Sequence, residues 1–443
     1  MKKIIDFIKN KPKAFVKYLI YVIIFLTLNQ YGIYFLHKNR MLNLIDDALV
    51  IFLLLFIVYL AIKKTIAINP SKYDIFFFCF FAVSVISSIL NKVPLLNFLL
   101  GMKGYFLYIF LFYVVYWINF NKQEISDIIG FIIKIFYLQL LICVFQLVFS
   151  ILNKTLGPDS LKGAFSGANF LGYTVFLPLY FCLYDYCFNH NKKQVFNVIV
   201  LSCIMIISSA RFGLLLFPIL FLSLNLGKLS KKTLIKIGFG FLILLGFIML
   251  IGPTFVGGGR SIFSFFNPDT LIYQFTIAEN NVSGGSGRNL WYSLTKKNLE
   301  EQAKNPYIGF GVGEYASFAA FTLMPPTNYL IYNYFNQSSI GVDLNVDSQI
   351  IPIWGELGHI GIALAYLMLF AIAIRMFYLR KSDDMQQNAL SHSTHAYTWF
   401  FIVGYYFNHM LEAQTTALLF FLFLAVTETY AITKEGKNGK KSL

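Results

Sequence analysis

Charge is scarce in this chain. Its 443 residues carry 36 Lys and Arg and 21 Asp and Glu, while 57% are hydrophobic. Cysteine is thinner still. Cys79, Cys143, Cys182, Cys187 and Cys203 all fall within or at the ends of apolar runs, at no zinc-site spacing and outside the long polar stretch. A disulfide framework is therefore excluded, and the five read as small hydrophobes in helices. No P-loop, no Gly-x-Ser-x-Gly elbow and no His-Glu-x-x-His motif occurs, so neither nucleotide hydrolysis nor a metal is expected. The period-two alternation of a β-barrel is missing, because the apolar runs are apolar on every face. No tandem repeat and no low-complexity tract is visible apart from the basic tail. No small-residue cleavage site follows the first apolar run, so "MKKIIDFIKNKPK" reads as a cytoplasmic basic tail before an uncleaved span.

What is abundant is apolar sequence in runs of about 20 residues, the length that crosses a hydrocarbon core of ~30 Å as a helix. Inside lipid each span must satisfy its own backbone hydrogen bonds, so helix is the default. The expected fold is an all-α polytopic membrane protein with about twelve transmembrane helices. Runs near 18–35, 44–62, 74–90, 95–117, 128–149, 169–188, 195–208, 212–226 and 234–251 give the first nine. Runs near 350–378, 397–411 and 415–432 give the rest.

With the N-terminus inside, "KKTIAINPSK", "NHNKK", "GKLSKKTLIK", Arg380-Lys381 and "KEGKNGKK" all fall on the cytoplasmic side, as the positive-inside rule expects. Only "HKNR" at 37–40 dissents. The formal net charge of +15 is thus a topology signal, and no nucleic-acid partner is expected. Three parts follow: N-terminal transmembrane helices over 1–251, one large extracytoplasmic loop subdomain over 252–348 between spans nine and ten, and C-terminal helices with a basic cytoplasmic tail over 349–443. A loop of that length without a function is uncommon.

Several polar residues stand out against this background. In "IISSARFG", Arg211 lies where one apolar run ends and the next begins, with small neighbours Ser208, Ser209 and Ala210. It reads as an interfacial anchor or as a ligand for an anion. Arg288 opens "SGRNLWYSLTKKNLEEQAKNP", in which Leu290, Trp291 and Leu294 share one helical face and Asn305-Pro306 ends the helix. Two isolated outward guanidinium groups suit a diphosphate, since each can pair with phosphate oxygens through a fork. The "GFGVGEY" that follows is no dinucleotide fingerprint, because a helix precedes it where a strand is required. Its glycines instead permit tight turns where the loop folds onto the membrane domain. In "GVDLNVDSQIIPIWGELGHIG", Asp343 and Asp347 precede a long apolar helix. Asp347-Ser348 reads as the N-cap of that helix or as a carboxylate that accepts a proton from a hydroxyl. Glu356 within the helix is a functional candidate or a hydrogen-bond partner of a neighbouring helix. His359, His409 and Glu412 are further polar residues in apolar surroundings.

Four segments, in order, resemble the O-antigen polymerase and O-antigen ligase superfamily of Wzy-like and WaaL-like integral membrane glycosyltransferases. "KGAFSGANFLG" is similar to a Gly-x-Phe…Asn-x-x-Gly segment through Gly163, Phe165, Asn169 and Gly172, and "SSARFG" to a Ser-x-x-Arg-x-Gly turn. "GRNLWYSL…NPYIGFGVGEY" resembles an Arg-x-x-Trp helix followed by Pro and spaced Gly, and "DSQIIPIWGELGHIG" a Glu-x-Gly-x-x-Gly segment. The likeness spans 162–366. The chain departs from it at Lys162, near which the family has an arginine. It departs again at Asp347-Ser348, where ligases usually carry His-Asn.

The resemblance implies polymerisation of undecaprenyl-diphosphate-linked oligosaccharide repeat units into a surface polysaccharide, outside the bacterial cytoplasmic membrane. Arg211 and Arg288 would stabilise the diphosphate leaving group and Asp347 would serve as base. Lys162, Asn169, Trp291, Glu314, Tyr315 and Glu356 would hold the substrate. No cofactor is implied; a chain-length regulator is a further implied partner. A ligase of the same fold acting on another acceptor, and a flippase or transporter of lipid-linked sugars, are the alternatives. The inverted repeats and paired broken helices common in transporters are not visible.

Overall fold

The computed structural model describes residues 11–37, 44–153, 161–208, 211–225, 288–323, 325 and 348–439. The described residues are helical, with no strand among them. The helices are α1 (Pro12–His37), α2 (Ile45–Ile62), α3 (Asp74–Leu90), α4 (Leu95–Ile118), α5 (Lys122–Leu152), α6 (Ala168–Phe188), α7 (Gln194–Ile207) and α8 (Arg211–Asn225). After them come α9 (Arg288–Glu301), the short α10 (Phe318–Leu323), α11 (Ile350–Leu379), α12 (Met385–Phe407) and α13 (Gln414–Gly439).

Six of these helices contain segments long and apolar enough to cross a bilayer: Pro12–Gly32, Ile45–Ile62, Leu95–Ile118, Lys122–Leu152, Ile350–Leu379 and Gln414–Ile432. They fit a lipid bilayer environment. Asp74–Leu90, Gln194–Ile207 and Phe212–Asn225 are apolar but shorter. The sequence-derived spans at 169–188 and 397–411 coincide with α6 and the end of α12. Those helices carry Asn, Thr, His and Ser and are not among the six. The expected span at 234–251 and most of the expected loop lie outside the described residues.

The last helix sits in the middle. Between Thr416 and Ala431 every residue of α13 is buried, and the helix packs on α4, α12, α6 and α1. Lipid supplies no hydrophobic force between helices, so close approach of small residues and hydrogen bonds must hold them. Ala417 and Ala425 supply the first, and the Thr394–Thr427 hydroxyl contact (3.1 Å) joins α12 to α13. Arg375 of α11 reaches both carboxylate oxygens of Glu428 on α13 (3.1 and 3.2 Å), and the Tyr73 hydroxyl donates to the same carboxylate (2.7 Å). This charged group is buried, paired and hydrogen-bonded, as an ion at membrane depth must be.

Cross-connections define two ends. At one end, Lys13 donates to Asn119 O, Trp117 to Asn69 O, Lys17 pairs with Asp127 and Lys122 with Asp384. Lys63, Lys64, Lys72, Lys192, Lys193, Arg380 and Lys381 occupy the turns at that end. The opposite end gathers the close of α1, the α3–α4 turn, the start of α6, the α9–α10 segment and the α12–α13 turn. There Gly32 N–H donates to Ala164 O (3.3 Å), Asn97 to Glu314 (2.8 Å) and Phe318 N–H to Glu412 (2.9 Å).

Candidate functional site

A break in α11 organises the second end. Gly358 adopts φ 65°, ψ −161°, a conformation open essentially to glycine. The backbone groups freed there are taken up by the incoming glycine-spaced loop. Phe310 and Gly311 N–H donate to Gly355 O and Glu356 O (both 2.9 Å), while His359 and Ile360 N–H donate to Pro306 O (3.2 Å) and Tyr307 O (3.0 Å). A Cβ added at Gly358 would lie 2.3 Å from the Tyr307 carbonyl carbon. Gly358→Ala is therefore expected to cost about 1–3 kcal/mol, read as a lowered thermal unfolding midpoint in detergent.

Glu356 locks this seam. Its Oε2 accepts from Gly313 N–H and the Tyr105 hydroxyl (both 2.9 Å), and its Oε1 faces the N–H groups of Ser317 (3.3 Å) and Tyr315 (3.4 Å). Gly313 (φ 81°) is needed because a Cβ there would meet Asn97 O at 2.3 Å. The side chain of Glu356 is fully buried and committed to the loop. Glu314 is buried as well and accepts from Asn97 Nδ2.

Helix α9 lies over this seam through a second core of Trp291, Leu294, Leu299, Phe310, Tyr315 and Ile351. The Tyr315 ring stacks on Phe310 (centroids 5.2 Å apart). Its hydroxyl accepts from Asn298 Nδ2 (3.0 Å) and donates to Thr295 (3.3 Å). Burial pushes that hydroxyl up to about 12, with the two hydrogen bonds pulling the other way. Trp291 and Tyr315 are thus packing residues here, and neither presents an open ring face to a sugar. The helix ends at Glu301, short of the proline expected to stop it.

Three neighbours of the expected catalytic residues meet at one place, the end of α12. Phe212, beside Arg211, packs on Phe407 (4.6 Å). Tyr292, one helical turn after Arg288, stacks on Tyr406 (5.2 Å, 12°). Ser348, next to Asp347, donates to Tyr405 O (3.1 Å) and is hydrogen-bonded to the Tyr292 hydroxyl (2.9 Å). Arg211 and Arg288 are the first residues of α8 and α9, whose N-terminal dipole ends favour anions. Asp343 and Asp347 lie outside the described residues. The expected N-cap shifts, however: α11 starts at Ile350 behind Gln349, which makes no side-chain cap bond.

The chain matches no family model, and no curated protein matches it.

Beside the α12–α13 turn a cavity of about 480 Å³ opens between α1, α4, α6, α10 and the start of α13. Tyr31, Phe170 and Phe318 give it aromatic walls, and Lys103, Glu412 and Gln414 give it polar ones. Lys103 is paired with Asp47, and Gln414 Nε2 donates to the same carboxylate (3.3 Å). Lys162 stands 4.5 Å over the ring of Tyr31, while Asn169 is exposed on the first turn of α6.

Sequence reasoning passed over this chamber. Asp46, Asp47 and Lys103 inside apolar runs were the available signal. They are isolated in the chain and only the fold assembles them.

The α12–α13 turn carries one more arrangement. Gln349 Oε1 accepts from Leu411 N–H (2.9 Å) and Glu412 N–H (3.2 Å), and Gln349 N–H donates to Tyr405 O (2.9 Å) and Asn408 O (3.1 Å). His409 Nδ1 lies 3.0 Å from Glu412 Oε2, and the imidazole packs on Phe318 (4.7 Å). Gln349 Nε2, Tyr405 Oη and His409 Nε2 are buried without a hydrogen-bond partner. A group left so costs ~1–3 kcal/mol. Gln349 joins Tyr405 to the turn that carries His409, so the three groups lie close together at this end.

Proposed function

We propose that the protein is a membrane glycosyltransferase that polymerises undecaprenyl-diphosphate-linked repeat units into a surface polysaccharide on the outer face of a bacterial cytoplasmic membrane. The observation that carries this reading is the meeting of Phe212, Tyr292 and Ser348 on Tyr405, Tyr406 and Phe407. It brings chain neighbours of Arg211, Arg288 and Asp347 to the end of one helix, although the sequence separates them widely, and so supports a shared site for the three. The gathering of lysines at the opposite end of the bundle supports a cytoplasmic placement of that end and of both termini. A chain of about twelve spans, with α6, α8 and α12 among them, accommodates this orientation.

In this reading the donor's diphosphate lies at the starts of α8 and α9. As the bond between the anomeric carbon and the phosphate oxygen breaks, charge accumulates on the leaving diphosphate. Preorganised guanidinium groups near a low-dielectric boundary stabilise it selectively. Asp347 takes the proton of the attacking hydroxyl of the acceptor repeat unit. The 480 Å³ chamber, with flat aromatic faces beside amide and charged groups, suits the first sugars of one glycan. The activated donor supplies the driving force.

Protein reconstituted in proteoliposomes with a synthetic diphosphate-linked repeat unit is expected to produce a ladder of oligomers, read by gel or mass spectrometry. Movement of the lipid-linked unit between leaflets without any new glycosidic bond would replace this reading with a flippase. Transfer only to an unrelated acceptor would replace it with a ligase.

A further inference from the structure

We propose that the chamber beside the α12–α13 turn admits an uncharged sugar and turns away its uronic-acid counterpart, the Lys103–Asp47 ion pair making the distinction. The inference rests on the glycan-transfer reading above and names the class of sugar that its chamber takes. One stripe of α4 supplies Leu100, Lys103, Gly104, Leu107 and Tyr108 to the wall, at the spacing of a single helix face. Among the described residues Lys103 is the one basic side chain that lines the chamber. It is 29% exposed there while paired with Asp47.

An ammonium has three N–H donors, and Asp47 takes one of them. The others can reach hydroxyl oxygens of a ligand. Gln414 Nε2 donates to Asp47 Oδ1 (3.3 Å), and the amide oxygen of the same side chain can accept from a hydroxyl. The hydroxyl of Tyr108 is buried without a hydrogen-bond partner, on a residue that lines the chamber and is 4% exposed. Such a group is uncommon in a folded protein, and it marks a wall that a polar ligand or its water completes. Phe170 and Phe318 offer flat faces to the C–H side of a pyranose ring.

Charge decides which sugar fits. Asp47 is 6% exposed, with Lys103 as its ionic partner. A ligand carboxylate drawn to Lys103 would compete with Asp47 and strip a buried carboxylate of its counter-charge, which is costly. Among the described residues carboxylates also outnumber cations around the chamber. Glu412 lines it, Asp46 accepts from the lining Thr27 and Asp47 holds Lys103, against Lys103 itself and Lys162 over Tyr31. A neutral ring brings only hydroxyls, which take hydrogen bonds from Lys103 and leave the ion pair closed. Selection of this kind comes from the penalty on the wrong ligand, without a tighter grip on the right one.

The test is saturation-transfer NMR on the full-length protein in nanodiscs at neutral pH. Methyl glucoside and methyl galactoside are each compared with the methyl glycoside of the matching uronic acid. At least one neutral glycoside is expected to bind on the order of tenfold more tightly than its acidic partner. Asp47→Asn keeps the shape of the wall and frees Lys103, so the acidic glycoside should gain and the preference vanish or reverse.

Equal binding of neutral and acidic glycosides by the wild type would overturn the proposal. So would binding of neither, or an Asp47→Asn protein that keeps the wild-type ratio. Should that variant fail to assemble, the double variant Asp47→Asn, Lys103→Gln removes both charges together and carries the test. Its ratio is expected to fall below that of the wild type, and an unchanged ratio refutes the assignment. Oligomer formation in proteoliposomes is read separately. Oligomers from a protein that does not discriminate sink the present inference alone. Selective sugar binding by a protein that makes no oligomers fails the glycan-transfer reading and leaves the role of the ion pair standing.

Discussion

Arg211→Ala and Arg288→Ala are each expected to reduce polymer formation on the order of 10²–10³-fold, with the chain still inserted in the membrane. The expected size follows from where the charge develops. In the proposed transfer a diphosphate departs into a medium of low dielectric constant, and each arginine removed would leave part of that charge uncompensated. Both residues begin a helix, so the peptide dipoles that remain in the alanine variants soften the loss without abolishing it. Lysine at either position should recover little, because a point charge replaces a planar fork. Full activity in Arg211→Lys would exclude bidentate pairing, and normal glycan chains from both alanine variants would remove the diphosphate clamp altogether. Membrane content and glycan length, measured on the same cells, separate lost chemistry from lost protein.

Glu356→Ala is expected to be the most destabilising single change in the described structure, by about 3–5 kcal/mol. Three backbone N–H groups and one tyrosine hydroxyl point at this carboxylate. Deleting it strands buried donors, each costing ~1–3 kcal/mol, and opens a hole between α4 and α11. Glu356→Gln should cost less, since the amide oxygen still accepts although its NH₂ faces other donors. Thermal unfolding in detergent reads the ranking. Limited proteolysis between residues 305 and 317 locates the damage, because the loop is what Glu356 holds. If Glu356→Ala unfolds at the wild-type temperature, the seam between loop and broken helix is not what keeps α9 in place.

The helices were largely legible from hydropathy, because a helix in lipid must be apolar on several faces at once. Helix α9 was legible too: Trp291 and Leu294, one turn apart, predicted the face that the structure buries. The junction at Arg211 followed from an apolar run with no polar padding at its turn.

The break in α11 was not legible. "IIPIWGELGHIGIALAYL" reads as continuous apolar helix, and the backbone that completes it at Gly358 comes from a loop far upstream. Periodicity reports a segment's own faces and carries no information about such a partner. Glu356 illustrates the limit. Its position inside an apolar helix marked it as important, and only the fold shows that it is spent on Gly313, Tyr315 and Ser317. His409 and Glu412 match no metal spacing in the sequence. Their pairing and the bare Nε2 emerge only when the turn closes on Gln349.

The central position of α13 has a consequence for how the protein is made. This helix follows every other described helix in chain order, so it leaves the ribosome after they have been delivered to the translocon. Until then Arg375 and Tyr73 lack Glu428, and the surfaces of α4, α6 and α12 that will enclose α13 face lipid or a chaperone. Biogenesis therefore has to keep a slot open in a half-built bundle and fill it with the final hairpin. A nascent chain stalled before residue 414 would display Arg375 and Tyr73 without the carboxylate they share, the kind of incomplete packing that membrane quality-control proteases can recognise.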